Sequence, residues 1–133
     1  NQNWNLNFMN SKSRQHSTKL PNKVKIGYRD IDIEYVGPDF KNDSFTDSYG
    51  EYYNRQGLIK LQDSICGQEM CNSLLHECLH AIVNGSGLNQ ANGPLKEDDA
   101  EELTVNQITN YLMGMFRDNP WFMDFIKENI NKT

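Results

Sequence analysis

Hydrophobic and polar residues alternate along VKIGYRDIDIEYV, residues 24–36. Val24, Ile26 and Tyr28 share one face, and Ile31, Ile33 and Tyr35 share the next run, the period-two pattern of a half-buried strand. Gly27 to Asp30 breaks the phase, so a bulge or a tight hairpin is expected there. Residues 37–50 are rich in Gly, Pro, Asp, Asn and Ser and read as a loop. Within residues 51–62 a second strand signal runs from Leu58 to Leu61.

The period then changes. In residues 68–84, QEMCNSLLHECLHAIVN, the apolar positions Leu75, Leu79, Ile82 and Val83 recur at spacings of three and four. That spacing predicts a helix with one apolar stripe, and Gly85 is expected to stop it. Residues 85–97 form a Gly/Asn/Pro loop. A second helix is expected over 98–117, carrying Val105, Ile108, Leu112 and Met115. Asn119-Pro120 breaks it, and Pro120 suits the first turn of a third helix over 120–131. Trp121, Phe122 and Phe125 are expected to pack that helix on the core. Residues 1–20 are polar and read as a loose arm, in which Trp4, Leu6 and Phe8 alternate and could dock as a short edge strand. The remaining residues, 21–133, read as one domain of α+β class, with a small, mainly antiparallel sheet of about three strands packed on the helices.

Composition narrows the function. The chain has 133 residues, with 13 Lys and Arg against 18 Asp and Glu, for a net charge of -5. Phosphates would be repelled, so no nucleic-acid partner is expected. No apolar run is long enough to span a bilayer. Three cysteines, Cys66, Cys71 and Cys78, close no disulfide framework and suit a reducing cytoplasm. The chain does not begin with Met, and a mature secreted protein stays open as an alternative.

The chemistry-bearing pattern is His76-Glu77-Cys78-Leu79-His80. Positions four apart on a helix lie on one face, one turn from each other, so two imidazoles can reach one zinc ion. Glu77 stands beside the first histidine, where it can take a proton from metal-bound water and pass it to a leaving amine. A third protein ligand is needed. The acidic run from Glu97 to Glu102 enters the next helix, and its first members complement the helix dipole. Glu101 and Glu102 lie deeper. Periodicity favours Glu101, which aligns with Val105, Ile108 and Leu112, while Asn106 lies one turn beyond Glu102 and could hydrogen-bond a ligand histidine. A third histidine of the HExxHxxGxxH kind is absent, because Val83 and Ser86 stand where Gly and His would be. His16 lies in the arm. Cys66 and Cys71 are spaced too widely for a zinc knuckle, and Cys78 is read as a small buried hydrophobe.

HECLH followed by a helix with E-x-x-V-N-x-I-T resembles the gluzincin group of zinc metallopeptidases. Within it the pattern is similar to compact phage- and mobile-element-type metallopeptidase-like proteins and to ImmA/IrrE-type peptidases. The resemblance implies one zinc per chain, held by His76, His80 and Glu102, with Asn106 supporting the site and Glu101 as the alternative ligand. It implies a minimal zincin-like fold and peptide-bond hydrolysis with Glu77 as general base, more as an endopeptidase than an exopeptidase, on a protein or peptide substrate. It also implies that the strand Gly57-Leu58-Ile59-Lys60-Leu61 lines the cleft. Tyr52, Tyr53 and Tyr111 are read as packing residues rather than as stabilisers of an oxyanion. The rival reading is a regulatory or interaction module that keeps the metal and has lost the chemistry.

Overall fold

The computed structural model describes residues 19–37 and 49–133. Trp4, Leu6, Phe8, His16 and the interior of the 37–50 loop lie outside them. Four strands and three helices follow in order: β1 (Lys23–Ile26), β2 (Arg29–Val36), β3 (Gly50–Tyr53), β4 (Leu58–Gln62), α1 (Gly67–Ser86), α2 (Asp98–Asp118) and α3 (Trp121–Asn129). The α+β expectation holds, with one strand more than expected.

The phase break after Ile26 is a tight hairpin. Ile26 pairs with Arg29 across Gly27 and Tyr28, and Gly27 takes a φ of +65°, which a side chain would resist. The sheet order is β1-β2-β4-β3. β1–β2 and β3–β4 pair antiparallel, whereas β2–β4 pair parallel, so the sheet is mixed. β4 is therefore an interior strand. The strand expected to line a cleft is flanked on both sides, and β3 is the outer strand beside the motif helix.

Ile31 and Ile33 of β2, with Ile59 and Leu61 of β4, form the buried face, joined by Ile65, Met70 and Ala81. Leu20 also packs on this core, so contacts begin at the end of the segment assigned to the arm. The opposite face carries Asp32, Glu34 and Lys60, whose Nζ lies 3.8 Å from Glu34. This one-sided pattern is the antiparallel-type alternation read from the sequence.

α1 lies across the apolar face. The row it turns inward is Met70, Leu74, Glu77, Cys78 and Ala81; of the expected stripe Val83 is buried, Leu75 and Leu79 are half-buried, and Ile82 is exposed. The helix also runs past Gly85. It ends at Gly87, whose φ of +82° lets its N–H and that of Leu88 turn back to Asn84 and Val83. α2 packs on α1 and buries Val105 and Thr109, while Ile108 is exposed. α3 does not pack on the core as expected. It has no buried residue; Phe122, against Phe116, and Ile126 are half-buried, and Trp121 and Phe125 are exposed. No helix among the described residues is long and apolar enough to cross a membrane.

Candidate metal centre

His76 and His80 stand one turn apart on α1, their rings meeting edge to face with centroids 4.9 Å apart. Their Nε2 atoms are 3.2 Å apart. α2 brings Glu102 across to both. Its Oε1 lies 3.0 Å from His80 Nε2, and its Oε2 lies 3.4 Å from His76 Nε2. One donor atom from each residue lies within 4.8 Å of the other two, so the group could hold a metal ion. Two imidazole nitrogens and a carboxylate oxygen are a donor set that suits zinc, with a coordination position left for water or substrate.

His80 is held from behind. Glu101 Oε2 lies 2.7 Å from His80 Nδ1. A carboxylate accepts there, which places a proton on Nδ1 and turns Nε2 toward His76 and Glu102. Glu101 is fixed in turn. Asn89 Nδ2 donates to Glu101 Oε1 and to Asn84 Oδ1, each at 3.1 Å, and Asn84 Nδ2 donates to the His80 carbonyl at 3.0 Å. The turn at Gly87 is what brings Asn89 back over α1 to close this circuit.

The two adjacent glutamates therefore have different places. The Glu101 side chain is 12% exposed and that of Glu102 is 60% exposed. The inward direction that periodicity gives to Glu101 is observed, but Glu102 completes the three-residue group. Asn106 is exposed, and the ring hydrogen bonds of His80 go to Glu101, His76 and Glu102 instead. The tether expected of it belongs to Glu101. Asn84 and Asn89 carry no sequence signal of this role, since both lie in Asn-rich stretches; Glu101 was signalled by its alignment with Val105.

Glu77 sits on the inward row of α1 and is only 7% exposed. Burial pushes its carboxyl up to about 7, against the pull of His76 and His80, with Glu102 and Glu51 adding to the rise. β3 reaches this carboxyl through a glycine. A Cβ at Gly50 would lie 2.7 Å from Leu61 Cδ2 and 3.4 Å from Glu77 Cγ, so only the smallest residue lets the strand approach. Burial would lower His80, but its hydrogen bonds to Glu102 and Glu101 outweigh that and raise it to about 9. Hydrogen bonds from His76 and His80 hold Glu102 well below the usual carboxylate range. The group thus attracts positive charge where its three donors meet.

The other residues singled out from sequence lie elsewhere. Cys78 packs against the core, where burial pushes its thiol up to about 11. No disulfide joins Cys66, Cys71 and Cys78. Tyr111 is 80% exposed and packs on nothing, contrary to expectation. The Tyr52 hydroxyl donates to Asn54 Oδ1 at 2.8 Å, and the Tyr53 ring lies under the Lys60 ammonium. None of these three tyrosines is brought against the His-His-Glu group by those contacts.

Compared with known proteins, the chain matches no family model, no curated protein and no solved structure.

Proposed function

We propose that the chain is a zinc-dependent peptidase of gluzincin type, with His76, His80 and Glu102 as the metal ligands. The observation that carries this reading is the convergence of those donors beside a buried carboxyl, Glu77. When bound, the ion would supply Lewis-acid polarisation and acidify water. The chain's own residues do the rest. Glu101 and Asn89 keep His80 from rotating, so its Nε2 stays aimed at the meeting point. Glu77, drawn up to about 7, is suited to accept a proton on a carboxylate oxygen near neutral pH and to return it to the leaving amine. A peptide laid extended past Glu77 would continue on either side of it. That arrangement favours cleavage within a chain over trimming of its ends.

The placement of Tyr52, Tyr53 and Tyr111 favours one second reading, a module that keeps the metal without the chemistry. Zinc-loaded full-length protein, incubated with a mixture of unstructured peptides and followed by mass spectrometry, separates the two. Cleavage is expected, and Glu77→Gln should keep zinc while losing turnover by about 10²–10⁴-fold. Equal cleavage by the variant would overturn the base assignment. No cleavage by the zinc-loaded wild type would overturn the peptidase reading and favour the module.

A further inference from the structure

A cleft of about 510 Å³ opens between the β1–β2 turn, the end of β3 and the second half of α1. Its size is that of a ligand pocket. The apolar lining is Ile26, Ile31, Ala81 and Ile82, and the polar lining includes Arg29, Tyr52 and Asn54. Among the described residues Arg29 is the single charged one lining it. Its guanidinium is fixed in place. Nη1 donates to Asn54 Oδ1 at 3.4 Å and Nη2 to the Arg55 carbonyl at 3.1 Å. It also lies flat against Gly57, where a Cβ would come within 3.0 Å of Nη2. Asn54 Oδ1 accepts from Tyr52 as well, so the three polar groups form one rim. Among the described residues no carboxylate pairs with Arg29. Five N–H donors and a full charge are thus met by two neutral oxygens.

The cleft is in line with the metal centre. Ala81 follows Glu77 by four residues and Gly85 follows by eight, on one helical row. The cleft therefore begins about 6 Å and ends about 12 Å beyond Glu77 along α1. Gly50 touches the Glu77 end, and Tyr52, two residues on along β3, touches the cleft. An extended chain advances about 3.3 Å per residue, so these distances correspond to roughly two to four residues.

We infer that this cleft is a specificity pocket for an acidic side chain, glutamate in size, carried by an extended peptide two to four residues from the bond at the candidate metal centre. The inference rests on the peptidase reading for its place in the substrate, but the pocket's own chemistry stands apart from turnover. The apolar floor takes the methylene stem, and Arg29 with the Tyr52–Asn54 rim takes the carboxylate.

The test uses ¹⁵N-labelled, metal-free full-length protein, titrated with short blocked peptides that differ only in a central Glu or Gln. The Glu peptide should shift the amides of Ile26, Gly27, Tyr28, Gly85 and Ser86, and the Gln peptide should bind roughly tenfold more weakly. Arg29→Gln should abolish the difference. Should that variant fail to fold, Ile82→Glu replaces it, because Ile82 is exposed at the rim and a carboxylate there should repel the Glu peptide. Equal binding of the two peptides, shifts that map elsewhere, or no shift would overturn the pocket. Pocket binding without any cleavage by zinc-loaded protein would leave the pocket standing and overturn the peptidase reading. Cleavage indifferent to Glu or Gln at those positions would do the reverse.

Discussion

The α1–sheet side of the molecule and the C-terminal helix depart from the usual rule of burial in opposite directions. Beneath the metal centre the chain buries Glu77 on the row of α1 that packs on Ile59 and Leu61. In α3 it exposes Trp121, Met123, Phe125 and Ile130. A buried carboxyl opposes folding unless its surroundings over-determine it. Here a close-packed apolar sheet and a strand admitted by Gly50 surround it. The exposed aromatics of α3 have no comparable surroundings. The difference teaches where the stability sits: in the slab that carries the His-His-Glu group, with little contributed by the last helix.

That comparison can be broken most readily in the core. Ile59→Ala removes a fully buried side chain of the interior strand, and chemical denaturation should show a loss of about 2–5 kcal/mol. A loss under about 1 kcal/mol would mean that the slab is not the stable unit. Glu101→Gln sharpens the picture at the site itself. The amide keeps the shape but not the charge at His80 Nδ1, so zinc affinity in a chelator competition should fall about 10–100-fold. Unchanged affinity would mean that the Glu101–His80 contact does not orient the ligand. The smallest effect is expected in α3. Trp121→Ala should change stability by no more than about 0.5 kcal/mol, and a loss as large as that of Ile59→Ala would erase the contrast between the two regions.

How much of this was legible in the sequence depends on how local the cause is. The motif helix and His76, Glu77 and His80 follow from helical spacing alone, and the hairpin at Gly27 follows from a break in alternation. β3 did not show itself, because Gly50-Glu51-Tyr52-Tyr53 has no clear alternation and is stabilised by pairing with β4. Gly85 carries the same stop signal as Gly87, and only tertiary geometry shows that Gly87 takes the left-handed conformation that ends α1. Periodicity marked Glu101 as inward-facing and the resemblance marked Glu102 as a ligand. The two readings conflict only while one residue is assumed to do both jobs. For α3 the pattern of apolar residues predicts a helix but not a partner, and the expected packing on the core is not found.

The central claim is that His76, His80 and Glu102 hold one metal ion. Elemental analysis of the purified full-length protein, reloaded with zinc under reducing conditions, tests it most directly when set beside His80→Ala and Glu102→Ala. Near one zinc per chain in the wild type, lost in both variants, is the result this account predicts. No zinc in the wild type, or the same zinc content in all three proteins, would contradict it.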